Sequence, residues 1–113
     1  MSNISTHVLD TSLGRPAASV PLVLEVEQPH GSWKELGRGV TDSDGRCRQL
    51  LDGPALVEGT YRLTFDTAAY FKTCGVSGFY PQVCVEFDVR DATSHYHVPL
   101  LLSPYGYSTY RGS

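Results

Sequence analysis

The chain has 113 residues, of which 41% are hydrophobic and 19% are charged, with a formal net charge of -3. This length fits one domain covering residues 1 to 113, and the composition excludes a disordered or fibrous chain. Basic residues are not clustered beyond the loose pair Arg46 and Arg48. Nucleic acid is therefore not expected as a partner, since phosphate-backbone binding requires a concentrated basic face.

Both ends of the sequence bear on its location. The first ten residues, MSNISTHVLD, lack the basic and apolar regions of a secretion signal. No apolar run approaches the roughly 18 residues of a membrane span. The last three residues, Arg-Gly-Ser, differ from the peroxisomal signal Ser-Lys-Leu. We expect a soluble cytoplasmic protein with no membrane partner, and a peroxisomal location is the alternative.

The cysteines Cys47, Cys74 and Cys84 are odd in number and widely spaced. Without a C-x-x-C pair they do not resemble a zinc or dithiol site. We therefore expect buried free thiols in a reducing compartment.

Alternating side chains predict the strands of the first half of the chain. The first strand is predicted at residues 5–11, with His7 on one face, and the second at residues 20–27. A third is predicted at residues 33–41, where Gly37 and Gly39 permit a bulge or a sharp twist.

The segment TDSDGR at residues 41–46 predicts a turn, because Asp and Ser side chains bind their own backbone and Gly45 tolerates a positive φ. Its Asp-x-Asp-Gly string is similar to part of a calcium loop. Leu51 stands where that loop requires a Glu, so calcium binding is not expected.

The second half of the chain predicts one short helix and more strands. The helix is expected at residues 68–72, with Asp66 or Thr67 as its N-terminal cap and Gly75 ending it. Alternation predicts further strands at residues 61–66, 83–89, 95–102 and 107–111. Short, regularly spaced strands of this kind indicate an all-β fold, an antiparallel sandwich.

Several side chains have both a functional and an ordinary interpretation. His95 and His97 share one strand face, a spacing found in metal sites, but no third ligand has suggestive spacing nearby. His7 is compatible with a structural role, Arg46 with simple solvation, and Arg111 with pairing to the terminal carboxylate. The sequence has no nucleophile elbow and no phosphate-binding glycine motif. An enzyme built from it would use histidine, arginine, hydroxyl groups and bound water.

Three segments in order, STHVLDTSLGRPA, TDSDGRC and HYHVPLLLSPYGYSTYRGS, resemble the 5-hydroxyisourate hydrolase family of transthyretin-related enzymes. The resemblance covers nearly the whole chain from Ser5 to Ser113, and the terminal YRGS is its most specific mark. It implies a transthyretin-like sandwich of two four-stranded sheets with one short helix. It also implies a homotetramer, a dimer of dimers around a central channel, with active sites at the dimer–dimer interface.

The resemblance further implies hydrolysis of 5-hydroxyisourate to 2-oxo-4-hydroxy-4-carboxy-5-ureidoimidazoline in urate degradation, without metal or cofactor. The implied catalytic residues are His7, Arg46 and His97, and which histidine activates the water stays open. The implied substrate-binding residues are His7, Arg46, Ser108, Tyr110, Arg111 and Ser113.

Two alternatives share the expected fold. Transthyretin, a hormone carrier, resembles the chain in SPYGYST but lacks YRGS and the histidines at positions 7 and 97. Tyr110 and Arg46 would narrow and polarise a channel that an apolar hormone needs open. The other alternative is a non-catalytic interaction module whose terminal strand mediates assembly.

Overall fold

The structure is a computed structural model that describes residues 3–47, 50 and 56–113. Arg48 of the loose basic pair and Leu51 of the calcium-loop comparison lie outside the described residues. The described residues form these elements: β1 (Ile4–Asp10), β2 (Arg15–Pro16), β3 (Pro21–Glu27), β4 (Trp33–Val40), β5 (Arg46–Cys47), β6 (Gly59–Phe65), α1 (Thr67–Thr73), β7 (Val83–Val89), β8 (Tyr96–Ser103) and β9 (Gly106–Thr109).

Sheet 1 has the strand order β2-β1-β8-β9, and β5 pairs with β1 as a fifth strand. The resemblance implied four strands here. The fifth strand arises because one edge of β1 pairs with two short segments. Thr6 and His7 of β1 pair with β5, and Leu9 and Asp10 of β1 pair with β2. Within sheet 1, β1 and β8 run parallel, whereas the other pairs are antiparallel. Parallel neighbours require a long connection, and here the whole of sheet 2 lies between them in sequence.

Sheet 2 has the order β4-β3-β6-β7 and is antiparallel throughout. The register of β3 and β4 shifts between Leu24 and Glu25, which leaves Leu36 as the extra residue beside Gly37. This bulge confirms the prediction made from the glycines of β4.

The core lies between the two sheets and follows the predicted alternation. Leu22 and Leu24 of β3 are buried, as are Leu63 of β6 and Leu100 and Leu102 of β8. Each of these strands therefore has one inner and one outer face, and the outer face of sheet 1 is free to carry polar side chains.

The helix α1 begins and ends where its capping residues predict. Asp66 is the N-cap, and its Oδ1 accepts a hydrogen bond from the Ala69 backbone N–H at 3.0 Å. After Cys74, Gly75 adopts φ +69° and its N–H donates to the Lys72 carbonyl. Only glycine adopts such a conformation readily, so the helix stops there.

The expectation that the cysteines are buried holds only for Cys47. Cys74 and Cys84 are exposed. Cys84 lies on β7 between two inward-facing valines, and alternation directs it outward. Within the described part of the chain, no helix is long and apolar enough to cross a membrane.

Candidate active site

The candidate site lies on the outer face of sheet 1. In β1, Thr6 and Val8 are buried in the sandwich, whereas Ser5 and His7 are half-buried on the opposite face. This alternation follows from the two-residue period of a strand. The first predicted site residue, His7, therefore points away from the core.

Arg46 is the direct neighbour of His7 across the β1–β5 pair. The preceding turn fixes this register: the Asp42 carboxylate accepts the Arg46 N–H at 3.0 Å, and Val8 N–H donates to the Gly45 carbonyl at 2.7 Å. Gly45 has φ +77°, and a Cβ there would lie 2.4 Å from the Val8 carbonyl oxygen. Only glycine fits this close approach, so the turn motif brings Arg46 beside His7.

His97 reaches the same face from β8. The parallel register pairs Ser5 with His97 and His7 with Pro99. Side chains in register share a face, so His7 and His97 lie on the same face of two adjacent strands, two register positions apart. Two histidines ninety positions apart in the sequence thus become neighbours.

The surroundings of His97 lower its pKa below its ordinary value. Partial burial, which disfavours the charged imidazolium, is the largest cause, followed by the positive charge of Arg46 and by His7 and His95. The Ser5 backbone carbonyl acts in the opposite direction but does not outweigh them. His97 is therefore neutral near pH 7 and able to accept a proton.

One hydroxyl group joins the two histidines of the HYH segment. Ser5 Oγ lies 2.9 Å from His97 Nδ1 and 3.0 Å from His95 Nε2. His97 is half-buried, whereas His95 is exposed. This bridge engages Nδ1 of His97 and leaves Nε2 as the ring nitrogen available to a substrate or a water molecule.

The end of the chain passes over the same region. Ser108 pairs with Leu101 of β8 and so shares the outer face with His97. Tyr110, just beyond β9, is 57% exposed. Gly112 forms an antiparallel bridge with His97, and its N–H donates to the His97 carbonyl at 2.8 Å. The terminal segment is therefore attached directly to the strand that carries the candidate base.

Arg111 has a different environment from the other site candidates. Its guanidinium lies over the Tyr96 ring, 4.6 Å from the ring centroid, in a cation–π contact. The ion pairs found among the described residues involve other arginines, so the alternative pairing of Arg111 with the terminal carboxylate is not seen. Ser113 follows Gly112 at the exposed end of the chain.

A cavity of about 240 Å³ opens between β7, β8 and the terminal segment. Its lining includes His97, Tyr110 and Arg111 but neither His7 nor Arg46. The structure therefore brings His7, Arg46 and His97 together on an open face of the sheet, while Arg111 turns toward this neighbouring cavity.

Within residues 3–47, 50 and 56–113, no group of three or more His, Cys, Asp or Glu side chains is arranged to hold a metal ion. The pair His95 and His97 presents its facing nitrogens to Ser5 instead.

Sequence reasoning missed Ser5, and it considered His95 only as half of a metal pair. A usable signal existed in the spacing, because Ser5 and His7 share a face, as do His95 and His97. The parallel register that aligns the two strands was the missing information.

Taken together, the site combines a neutral imidazole, an arginine held in register with His7 and several hydroxyl groups on one sheet face. A neutral imidazole can take a proton from water, and a guanidinium can bind planar oxygen pairs and stabilise developing negative charge. The arrangement suits addition of water to a carbonyl group of a polar, planar substrate.

A two-sheet sandwich with one short helix and a histidine–arginine cluster on the outside of one sheet defines a transthyretin-like protein. The family model described as Transthyretin, HIUase/Transthyretin family, matches residues 4–112. This chain therefore belongs to the HIUase/Transthyretin family.

The proteins similar to this chain include both 5-hydroxyisourate hydrolases and a transthyretin. The 5-hydroxyisourate hydrolase of Mus musculus is 49% identical over 113 residues, covering 99% of this chain and 96% of that protein. The structure of Klebsiella pneumoniae 5-hydroxyisourate hydrolase matches with a TM-score of 0.84 at 37% identity, covering 97% of this chain and 98% of that one. Sea bream transthyretin in complex with thyroxine matches with a TM-score of 0.92 at 34% identity, covering 98% and 95%.

Proposed function

We propose that this protein hydrolyses 5-hydroxyisourate to 2-oxo-4-hydroxy-4-carboxy-5-ureidoimidazoline, a step of urate degradation. The observation that carries the proposal is the convergence of His7, Arg46 and His97 on one face of sheet 1. The near-full-length similarity to proteins named 5-hydroxyisourate hydrolase supports the same substrate.

His97 acts as the general base in this mechanism. Its lowered pKa keeps the ring neutral, and the Ser5 bridge at Nδ1 leaves Nε2 to take a proton from water as the water oxygen attacks the ring amide carbonyl. Such base catalysis contributes about 10²- to 10⁴-fold to the rate. His97 supplies the base and Arg46 supplies the positive charge at the oxyanion, so the proposed mechanism requires no metal or cofactor.

Arg46 holds the substrate and stabilises the oxyanion that forms at the carbonyl. Its planar fork of donors matches an electron-rich heterocycle with adjacent oxygens, and its rigid attachment beside His7 reduces the cost of reorganisation. His7 contributes a hydrogen bond to the bound ring from the adjacent strand. Together the two side chains orient the carbonyl toward the water that His97 activates.

The remaining predicted residues shape the substrate pocket. We assign substrate contacts to Ser108, Tyr110, Arg111 and Ser113, which lie at or near the end of the chain that crosses β8. In a single chain this face is open to solvent, and Tyr110 is largely exposed. A second chain packed against sheet 1 would close the pocket and exclude water.

That requirement favours a homotetramer. β7 and β9 each pair on one side only within the described part of the chain, so both sheets offer a free edge for joining two copies. Two such dimers facing each other through sheet 1 would then enclose the sites. Sedimentation equilibrium is the direct measurement of this assembly.

Hormone transport is the competing function, because the sea bream transthyretin that binds thyroxine has the same fold. Fold similarity does not separate the two functions. The charged and titratable groups on the outer face of sheet 1 favour a reactive polar substrate over a large apolar hormone.

The test is stopped-flow absorbance of 5-hydroxyisourate generated in place by urate oxidase. The wild-type protein should accelerate its decay in proportion to protein concentration. The matched control is His30→Ala, which removes an exposed histidine from the β3–β4 turn and should leave the rate unchanged. Decay no faster than the spontaneous reaction, from a folded protein, would contradict the hydrolase function, and thyroxine binding would then be measured.

A further inference from the structure

The Ser5 hydroxyl has the geometry of a proton relay between two imidazole rings. Its oxygen is within 3.0 Å of one nitrogen on each ring, and a hydroxyl can accept one hydrogen bond while donating another. If His97 uses Nε2 as a base, its single proton resides on Nδ1 and is donated to Ser5. The Ser5 proton is then donated to His95 Nε2.

We propose that Ser5 and His95 form a proton relay. The relay carries a proton from His97 to His95 during water attack, which keeps His97 from becoming positively charged, and returns the proton to His97 when the ring opens. This inference rests on the proposed hydrolase function and assigns roles to two residues outside the predicted catalytic set. His95 is the temporary proton acceptor, and Ser5 is the positioning residue that connects it to His97.

The steps balance without any additional reactant. As the water oxygen forms its bond to the carbonyl carbon, the water proton goes to His97 Nε2, the Nδ1 proton goes to Ser5, and the Ser5 proton goes to His95. As the carbon–nitrogen bond breaks, His97 gives its Nε2 proton to the leaving nitrogen while the excess proton returns from His95 through Ser5 to Nδ1, so the His97 ring stays neutral. The new carboxylic acid then ionises to solvent.

The charges around the site explain why such a relay is useful. Arg46 is in register with His7, close enough to His97 to disfavour an imidazolium there. His95 lies just before β8 and is further in sequence than His97 from Pro99, the β8 residue in register with His7. It is also exposed, so water solvates its charged form. The relay therefore moves positive charge away from Arg46 and toward solvent.

Four variants test the relay by separating proton transfer from hydrogen bonding. Ser5→Ala breaks the connection, whereas Ser5→Thr retains a hydroxyl and suits a strand. His95→Ala removes the acceptor, whereas His95→Gln can accept the Ser5 hydrogen bond but cannot take the proton. His30→Gln is the matched control on an exposed histidine outside the site.

We expect kcat to fall about 10- to 100-fold in Ser5→Ala, His95→Ala and His95→Gln, with KM little changed, as when partners that orient functional histidines are lost. Ser5→Thr should recover most of the activity, and added imidazole should partly rescue His95→Ala. Wild-type kcat in His95→Gln would overturn the relay.

Nitrogen NMR of His97 supplies a readout independent of turnover. The wild-type ring should show a proton on Nδ1, and Ser5→Ala should shift the ring toward a mixture of tautomers. A wild-type ring protonated only on Nε2 would overturn the relay even in an active enzyme. Failure of the hydrolase function is recognised separately, because the wild-type protein itself would then not accelerate decay of the substrate.

Discussion

Gly112 lies directly against the imidazole ring of His97. A Cβ at position 112 would lie 2.5 Å from Cδ2 of that ring, closer than side chains approach each other. The glycine of the terminal YRGS segment is thus required for packing against the ring, because any side chain there would displace it.

Gly112→Ala should therefore lower kcat by about 10²-fold, since a displacement near 1 Å has that effect on a catalytic group. The matched control is Gly106→Ala, where the nearest atom to a new Cβ is Ser103 Oγ at 3.7 Å, an ordinary contact. Both variants are compared by stopped-flow absorbance. Equal rates in the two would show that the His97 ring position does not control turnover.

His97→Ala should reduce turnover at least ~10²-fold if His97 is the general base. The same assay measures the rate, and circular dichroism checks that the sandwich remains folded. His30→Ala is again the control for loss of a histidine. A folded variant with the wild-type rate would remove His97 from the role of base.

Arg46 should influence both substrate binding and the pH profile. A base whose pKa is lowered stays neutral, and therefore active, to lower pH than an ordinary histidine with pKa near 6.5. Arg46→Gln removes one cause of the lowering, so the acidic limb of kcat should move to higher pH. Arg46→Lys keeps the charge but loses the bidentate fork, so it should raise KM and leave that limb nearly in place. Identical pH profiles in both variants would contradict this electrostatic role.

Tyr70 should matter for stability. Its hydroxyl donates to the buried Asp10 carboxylate at 2.6 Å. Burial works to raise the Asp10 pKa, but hydrogen bonds from Ser12, Tyr70 and Leu13 outweigh it, so the pKa lies below its ordinary value. Tyr70→Phe should lower the free energy of unfolding by about 1.5 to 3 kcal/mol near neutral pH.

The pH dependence of this loss has a definite sign. A lowered carboxyl pKa stabilises the fold above the unfolded pKa of about 3.9, and the contribution disappears as pH falls through the folded value. The difference between wild type and Tyr70→Phe should therefore shrink in acid. Urea denaturation at one fixed protein concentration measures it, with Tyr105→Phe, at a 74% exposed tyrosine, as the control. A constant difference at all pH values would argue against the Asp10 bond as its source.

Thorough chelation should leave the hydrolysis rate unchanged. The mechanism uses histidine-activated water, and the facing nitrogens of His95 and His97 are engaged by Ser5. The rate is measured after dialysis against a chelator and again after zinc is added back. Loss of activity that zinc restores would support the metal interpretation of the two histidines.

The local features of the fold were predictable because they depend on neighbouring residues. The alternation in β3 and β6 indicated which side chains are buried, and Asp66 and Gly75 marked the ends of α1. Strand limits differed by one or two residues, as in β1, which begins at Ile4 where residue 5 was predicted, and in β6, which begins at Gly59 where residue 61 was predicted. The exposed position of Cys84 also followed from alternation, and the expectation of a buried thiol overlooked it.

The candidate site was predicted less completely. His7, Arg46 and His97 were proposed from family resemblance, and the turn chemistry of Gly45 anticipated only that Arg46 follows a tight turn. Their roles in catalysis stay predictions. The relation of Ser5 to His97 depends on pairing between residues 92 positions apart, for which no local pattern exists.

The two-faced strands, the capped helix α1 and the residue types available for chemistry follow from the sequence alone, because side-chain period and capping are properties of adjacent residues. Which strands become neighbours depends on the folding of the whole chain. The parallel pairing of β1 with β8, and the short pairing of β1 with β5, brought one serine, three histidines and one arginine to a single face. These strand pairings depend on burying the inner faces of both sheets in one core, which is a property of the whole chain.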